Sequence, residues 1–398
     1  MPVAGIICEY NPFHLGHARM IENLRRQGMD GVVCAMSGNF VQRGEFALLS
    51  KQDRAEMAVR CGADLVLELP TLWSASGAEN FARGGAAELA ETGVVTHLAF
   101  GSECGDASAL DHLAEVLDSP EYESALQRNL QSGRSFAACR RTAAAELLGE
   151  DTAALLDLPN NNLGVEYCRA LRRMHSPIKV MTVHREGAEH DGTPCDGIAS
   201  ASYIRQLLRQ GNAAEAVQYL PRESGEILLR EMAAGRAPVY MAQCERAVLA
   251  RLRQMEEADF APYDSGGEGL YRRVYRAVQE ECTVEGILDA AKTKRYSHAR
   301  LRRMLLAAYL KIPADPLPER LPYLRVLAAN ERGRQLLREM RDHHVPVLTK
   351  PADVASLGRE AEKLFAEEAR RTDLYTLAYP NLQESRCGAD WRAVPVIL

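Results

Sequence analysis

Short, almost wholly apolar runs alternate with amphipathic stretches through the first half of the chain. Residues 3–8, 32–36, 65–69, 97–100 and 179–183 have the length and composition of buried strands. Between the first two, Met20, Ile21 and Leu24 fall at core spacing, which predicts a helix to about Gln27 closed by Gly28. Residues 51–61 and 78–91 predict two more helices, and 106–174 read as mostly helical with a break at 158–164. Strands alternating with helices predict an α/β fold with a parallel sheet, whose ligands sit beyond the carboxyl ends of the strands. After Leu220-Pro221 the alternation stops. Helical patterns then cover 223–234, 242–255, 270–281, 284–291 and 299–310. A proline-spaced link at 312–322 leads to the apolar run 323–328 and to a helix containing 333–340. The last fifteen residues lack periodicity and are expected to be loosely ordered.

A chain of 398 residues exceeds what one core usually serves, so two domains are expected, divided within 220–240. An apolar content of 46% and a charged content of 26% are ordinary for a soluble globular protein. No run of 18 apolar residues exists, and the first apolar run lacks the charged lead and length of a signal peptide. A cytoplasmic protein without a membrane partner is expected. Ten cysteines are scattered without a C-x-x-C pair, which indicates neither a zinc site nor a disulfide framework. The net charge of −6 argues against indiscriminate nucleic-acid binding. Yet residues 290–311 hold seven basic side chains (Lys292, Lys294, Arg295, Arg300, Arg302, Arg303 and Lys311) and no acidic one. An acidic chain with one dense basic segment points to a located polyanion site, with a solvated basic helix that balances acidic neighbours as the alternative. At helical spacing Arg295, Arg302 and Arg303 share one face, while Leu301, Leu305 and Leu306 turn toward a core.

Candidate chemistry begins where the first strand breaks at Asn11-Pro12. Strand, tight turn and helix start then deliver His14 and His17 around Gly16 at the mouth of a helix. There, unpaired backbone N–H groups and the imidazoles converge on a place suited to a phosphate, and Gly16 allows close approach. Taken alone, the two histidines also suit a surface pair or two metal ligands. After the second strand, Arg43, Lys51 and Arg54 can meet a triphosphate, although such a loop also serves as a solvated connection. Gly101 offers bare backbone to a ribose or base, or simply a tight turn. Of Asn160, Asn161 and Asn162, at least one caps the next helix. Arg185 ends a strand as a phosphate clamp or a surface residue. Ser200 reads as an N-cap, and Ser202 with Arg205 can present donors to leaving phosphates.

His14-Leu15-Gly16-His17 after a first strand resembles the signature of the nucleotidyl-transferring Rossmann-like superfamily that includes class I aminoacyl-tRNA synthetases. There paired histidines stabilise charge on the α-phosphate, and serine-rich helix starts carrying arginine bind phosphate a second time. The longer motifs are more specific. Glu9-Tyr10-Asn11-Pro12-Phe13-His14-Leu15-Gly16-His17, Ser37-Gly38-Asn39-Phe40-Val41-Gln42-Arg43-Gly44-Glu45, Gly62-Ala63-Asp64-Leu65-Val66-Leu67-Glu68-Leu69-Pro70, Pro159-Asn160-Asn161, Thr293-Lys294-Arg295-Tyr296 and Arg325-Val326-Leu327 together resemble the bacterial tRNA(Met) cytidine acetate ligase family. Phe46 and Asn162 depart from its pattern beside these motifs.

That resemblance implies a Rossmann-like nucleotidyltransferase domain at 1–225 and a mainly α-helical, tRNA-binding domain at 226–398. It implies an ATP-dependent ligase that makes acetyl-adenylate and acetylates the wobble cytidine of elongator methionine tRNA. Acetate, ATP with magnesium, and tRNA are then the expected partners. The ATP site would comprise Ile7-Cys8-Glu9-Tyr10-Asn11-Pro12-Phe13-His14-Leu15-Gly16-His17-Ala18-Arg19-Met20, Gly101, one of Asn160 and Asn161, Arg185, and Ser202 from the serine-rich helix start. His14, His17, Lys51 and Arg205 would supply charge or hydrogen bonds for catalysis. Lys292, Lys294, Arg295, Arg300, Arg302 and Arg303 would hold the nucleic acid. A small-molecule nucleotidyltransferase, or a non-catalytic RNA-binding protein that keeps ATP, are the competing readings.

Overall fold

In a computed structural model the chain is described over residues 1–184, 194, 197–264, 269–294, 296–312, 317–318, 320–342 and 346–398. Its strands are β1 (Val3–Cys8), β2 (Gly31–Ser37), β3 (Phe40–Val41), β4 (Glu45–Phe46), β5 (Leu65–Leu69), β6 (His97–Ser102), β7 (Lys179–His184), β8 (Leu324–Ala329), β9 (Val347–Leu348) and β10 (Val396–Ile397). The central sheet runs β10-β8-β5-β2-β1-β6-β7, with β9 beside β8. From β5 to β7 every pairing is parallel. The continuous apolar runs of β1, β2 and β5 follow from burial on both faces. Alternate residues feed two cores: Ile7, Val33 and Leu67 on one side, Ile6, Cys34 and Val66 on the other. The helices Ala78–Glu91 and Pro159–Arg173 cover the first face, and Leu15–Arg26, Lys51–Arg60 and Ala201–Arg209 cover the second.

The chain winds outward from β1 through β2 to β5, then returns across β1 to β6 and β7. The order therefore reverses between β1 and β6, and a crevice opens above their carboxyl ends.

The structure adds to one expectation and corrects another. Residues 226–398 are mainly helical but also return strands to the sheet. The apolar run 323–328 supplies β8, which joins β5 antiparallel with Leu65 opposite Ala329. An open edge on β5 and a strand-length apolar segment are the cause, because pairing satisfies both backbones while burying the run. The chain end is not loose: β10 pairs with β8, and Asp390 is wholly buried. Between these returns, the helices Glu245–Arg253, Leu270–Glu280, Val284–Ala291 and His298–Leu310 enclose a separate core that includes Leu252, Val274, Leu301, Leu305 and Leu306. Phe40 and Phe46 of the β3–β4 hairpin plug into that same core. Among the described residues no helix is long and apolar enough to cross a membrane.

Candidate active site

After β1 the backbone turns through Tyr10, whose φ of +46° is rare for a side chain of this size. Packing holds it there. The ring lies edge-on to Phe13 at 4.7 Å and to His17 at 4.8 Å, and the hydroxyl sits 3.4 Å from Cys34 Sγ. His14 then caps the helix Leu15–Arg26. Its Nδ1 accepts the Gly16 N–H at 3.0 Å, and His17 Nδ1 accepts the His14 N–H at 3.2 Å. This is a capping box built from two imidazoles. The rings stack at 3.7 Å. Because each Nδ1 is an acceptor, the hydrogen-bond network assigns the ring hydrogen to Nε2 on both, giving a pair of N–H donors in fixed orientation. A Cβ on Gly16 would lie 2.9 Å from His14 Cε1, so glycine is what lets that ring fold over the first turn.

The turn faces a cavity of about 580 Å³, within the range of roughly 300–1,000 Å³ that accommodates small ligands. It lies at the point where the strand order reverses and is lined from β1, β6 and β7 by Ile7, Cys8, Gly101 and Val183. Phe100 and Tyr167, with ring centres 5.3 Å apart, form part of its apolar wall. Ser200 caps the helix Ala201–Arg209 by accepting the Tyr203 N–H, and that helix carries Ser202 and Arg205 to the rim. Arg205 donates to the Asn11 carbonyl at 2.9 Å and to Ser202 Oγ at 3.3 Å. Burial pushes its guanidinium pKa down, against the pull of Glu45 and Glu9. Glu9 accepts the Gln42 N–H at 2.9 Å, and burial raises its carboxyl pKa against that bond and the nearby arginines. It is the sole carboxylate among the described lining residues. The donor set therefore fits a magnesium ion carried on nucleotide oxygens and water better than one held in a protein cage.

Of the implied nucleotide segment, Ile7, Cys8, Glu9, Tyr10, Asn11, His14, Gly16, His17, Arg19 and Met20 line the cavity, with Gly101, Asn160, Ser202, Arg205 and Arg43. Pro12, Phe13, Leu15 and Ala18 lie off the lining; Phe13 is wholly buried in the core. Asn161 is also buried, and its Oδ1 takes Ser102 Oγ at 2.7 Å and the Glu103 N–H at 3.0 Å, so it pins the loop after β6 while Asn160 faces the cavity. Arg185 lies outside the described residues.

Lys51 was expected among the catalytic groups, and the structure places it elsewhere. It is buried, with Nζ 2.6 Å from Glu68 and 2.7 Å from Asp390. Arg54 likewise serves the backbone: it donates to the carbonyls of Leu49 and Ser37 at 3.1 Å each and to those of Glu9 and Gly38. An ammonium or guanidinium lost to water needs such partners, and here folding supplies them.

The basic segment is corrected as well. Lys292 and Lys294 are exposed, and Arg295 lies outside the described residues. Arg300 sits 3.4 Å from Asp264 and Arg302 3.1 Å from Glu45. Arg303 donates to the Gln42 carbonyl and lines the cavity, where burial and Arg300 push its pKa down to about 10. Arg302 and Arg303 therefore face the hairpin and cavity in place of one open face, while Arg300 turns to Asp264 and the Tyr296 ring. Close backbone approach is the reason: a Cβ on Gly44, at φ +76°, would collide with Arg302 and Arg303. Some lining residues were missed: Gln42, although it stands in the 37–45 motif, and Phe100, Tyr167 and His184, which have no local signature. For Phe100 and His184 near the ends of β6 and β7, and for Gln42 next to β3, position at a strand's end is the signal; Tyr167 lies within the helix Pro159–Arg173 and has none.

Fold and cavity together define a protein of nucleotidyltransferase-like fold with a paired-histidine turn, and residues 1–390 match the family model described as HIGH Nucleotidyl Transferase. The chain is 36% identical over 394 residues to the tRNA(Met) cytidine acetate ligase of Caldanaerobacter subterraneus subsp. tengcongensis, covering 97% of this chain and 98% of that one. It is 34% identical to the enzyme of the same name from Acetivibrio thermocellus, over the whole of both chains. Among solved structures, Thermotoga maritima TmcAL superposes with a TM-score of 0.95 in its apo form and 0.93 when bound to alpha-thio ATP. Both share 31% or 30% identity with it and cover 100% of each chain. The chain belongs to the tRNA(Met) cytidine acetate ligase family.

Proposed function

We propose that the protein is a cytoplasmic, ATP-dependent ligase that activates acetate as acetyl-adenylate and acetylates the exocyclic amine of the wobble cytidine of elongator methionine tRNA. The observation that carries this reading is the pair of stacked imidazoles at a helix mouth, both lining the cavity at the sheet's switch point with Nδ1 engaged as an acceptor. Support also comes from the alpha-thio ATP bound by a relative of the same fold. An acetate oxygen attacks the α-phosphorus in line with departing pyrophosphate, and the bond from that phosphorus to the bridging oxygen breaks. This demands positioning and positive charge rather than a nucleophilic side chain. His14 and His17 would donate to the α-phosphate oxygens, and Arg205 and Arg43 would hold the phosphates that leave. Magnesium on ATP would neutralise phosphate charge during this step. The cytidine N4 then attacks the acyl carbon; the acyl–oxygen bond breaks, AMP departs and the nitrogen loses a proton.

Exchange of labelled pyrophosphate into ATP, measured with acetate and with or without tRNA, tests the reading. Acetate-dependent exchange without tRNA, followed by N4-acetylcytidine once tRNA is added, is expected. Exchange that ignores acetate would favour a small-molecule nucleotidyltransferase, and no exchange at all would favour a non-catalytic RNA-binding protein. For the tRNA, the exposed Lys292 and Lys294 are the expected phosphate contacts of the basic segment. The double change Lys292→Ala, Lys294→Ala should flatten the slope of log K against log salt by about two units and leave acetyl-adenylate formation intact. Arg302→Ala, whose charge Glu45 already balances, should leave that slope unchanged.

A further inference from the structure

We infer that the C-terminal segment, acting through Asp390 and Thr372, positions the loop that carries Gln42 and Arg43 to the cavity and thereby sets the protein's hold on ATP. The inference rests on reading that cavity as the ATP site. Asp390 Oδ2 accepts from Lys51 Nζ at 2.7 Å and from the Thr372 hydroxyl at 2.9 Å, and Arg325 lies 3.1 Å away. The Thr372 oxygen in turn accepts from Asn39 Nδ2 at 3.1 Å. Asn39 is consumed at both ends of its amide, since its Oδ1 accepts the Lys51 N–H at 2.9 Å. All five of these side chains are buried. Asn39 stands where the loop leaves β2, and its carbonyl takes the Ala47 N–H at 2.9 Å to close the loop on itself. Tyr375, one turn beyond Thr372, donates its hydroxyl to the Ala47 carbonyl at 2.8 Å.

The far side of the same loop touches the nucleotide turn. Gln42 N–H reaches Glu9 at 2.9 Å, and Leu48 N–H reaches Asn11 Oδ1 at 2.7 Å. The loop is thus gripped between the helix Arg359–Thr376 and the residues that follow β1. Well-packed apolar groups would stabilise such a place at least as well as a buried polar cluster. What hydrogen bonds add is direction, because both ends of one asparagine amide are fixed by residues more than 300 positions apart. Neither Thr372 nor Asp390 is among the described residues that line the cavity, so they are positioning residues.

Thr372→Val keeps the side-chain shape and removes the bridging hydroxyl. Titration calorimetry with ATP, together with steady-state pyrophosphate exchange, is expected to give a Kd and a KM for ATP raised about tenfold with kcat within about threefold. Thr372→Ser, which restores the hydroxyl, should recover both. A purely structural role would lower the thermal midpoint and leave KM unchanged. Unchanged Kd and KM in Thr372→Val, or a serine variant as impaired as the valine, would overturn the inference. Should Thr372→Val fail to fold, Asp390→Asn read by the same Kd and KM decides, with the same rise expected. Wild-type protein that does not bind ATP would instead refute the underlying reading of the cavity, which keeps the two failures distinguishable.

Discussion

Alanine at His14 or His17 is expected to slow acetate-dependent pyrophosphate exchange about a hundredfold, ~3 kcal/mol, the usual cost of losing one preorganised donor to developing charge. The two positions differ in what else they do. His14 is also the N-cap of the helix Leu15–Arg26, so His14→Ala should cost about 1 kcal/mol of stability in addition. His14→Asn separates the roles: asparagine caps helices well, so stability should return while exchange stays slow. His17→Ala removes the ring that backs His14 at 3.7 Å and the acceptor of the His14 N–H, and leaves the His14 acceptor of the Gly16 N–H in place. Exchange by either alanine variant at the wild-type rate would sink the assignment of these imidazoles to the α-phosphate.

Lys51→Met is expected to lower unfolding stability by about 3–5 kcal/mol, because it leaves Glu68 and Asp390 with one cation, Arg325, between them in a site closed to water. Burial already pushes the Glu68 carboxyl pKa up, while Lys51 and Arg325 hold Asp390 well below the ordinary carboxylate range. Urea denaturation of the single variant should show a reduced midpoint at unchanged slope. Adding Asp390→Asn removes one anion and leaves Glu68 paired with Arg325 at 2.9 Å, so the double variant should regain part of the loss. A single variant of native stability that has lost ATP binding would return Lys51 to the phosphates and refute its structural role.

These two sites mark how far a linear reading reaches. The histidine pair was legible because its chemistry is local: N-cap and third helical position lie three residues apart, and one turn brings them together. Strand runs such as 65–69 were legible for a similar reason, since burial on both faces of a parallel sheet erases alternation and leaves a continuous apolar signature. Lys51 was not. As a cation one turn beyond a glycine-bearing loop, it has the same local context as a phosphate ligand, and its carboxylate partners lie 17 and 339 residues away. Arg300, Arg302 and Arg303 raised the same difficulty, because a basic run in sequence carries no information on which acids fold against it.

By itself, then, the sequence determined the parallel α/β half, the place where its first strand turns, and the histidines that meet there, all of which follow from spacing within a few residues. Tertiary structure alone decided that β8 and β10 return to that sheet, that Asn160 rather than Asn161 faces the cavity, and that Lys51 closes a buried charge cluster with Asp390. The physical reason is one of range. Helix caps and strand periodicity are settled by bonds between near neighbours, whereas an edge strand or a buried charge is satisfied by whichever distant group the packed chain brings to it.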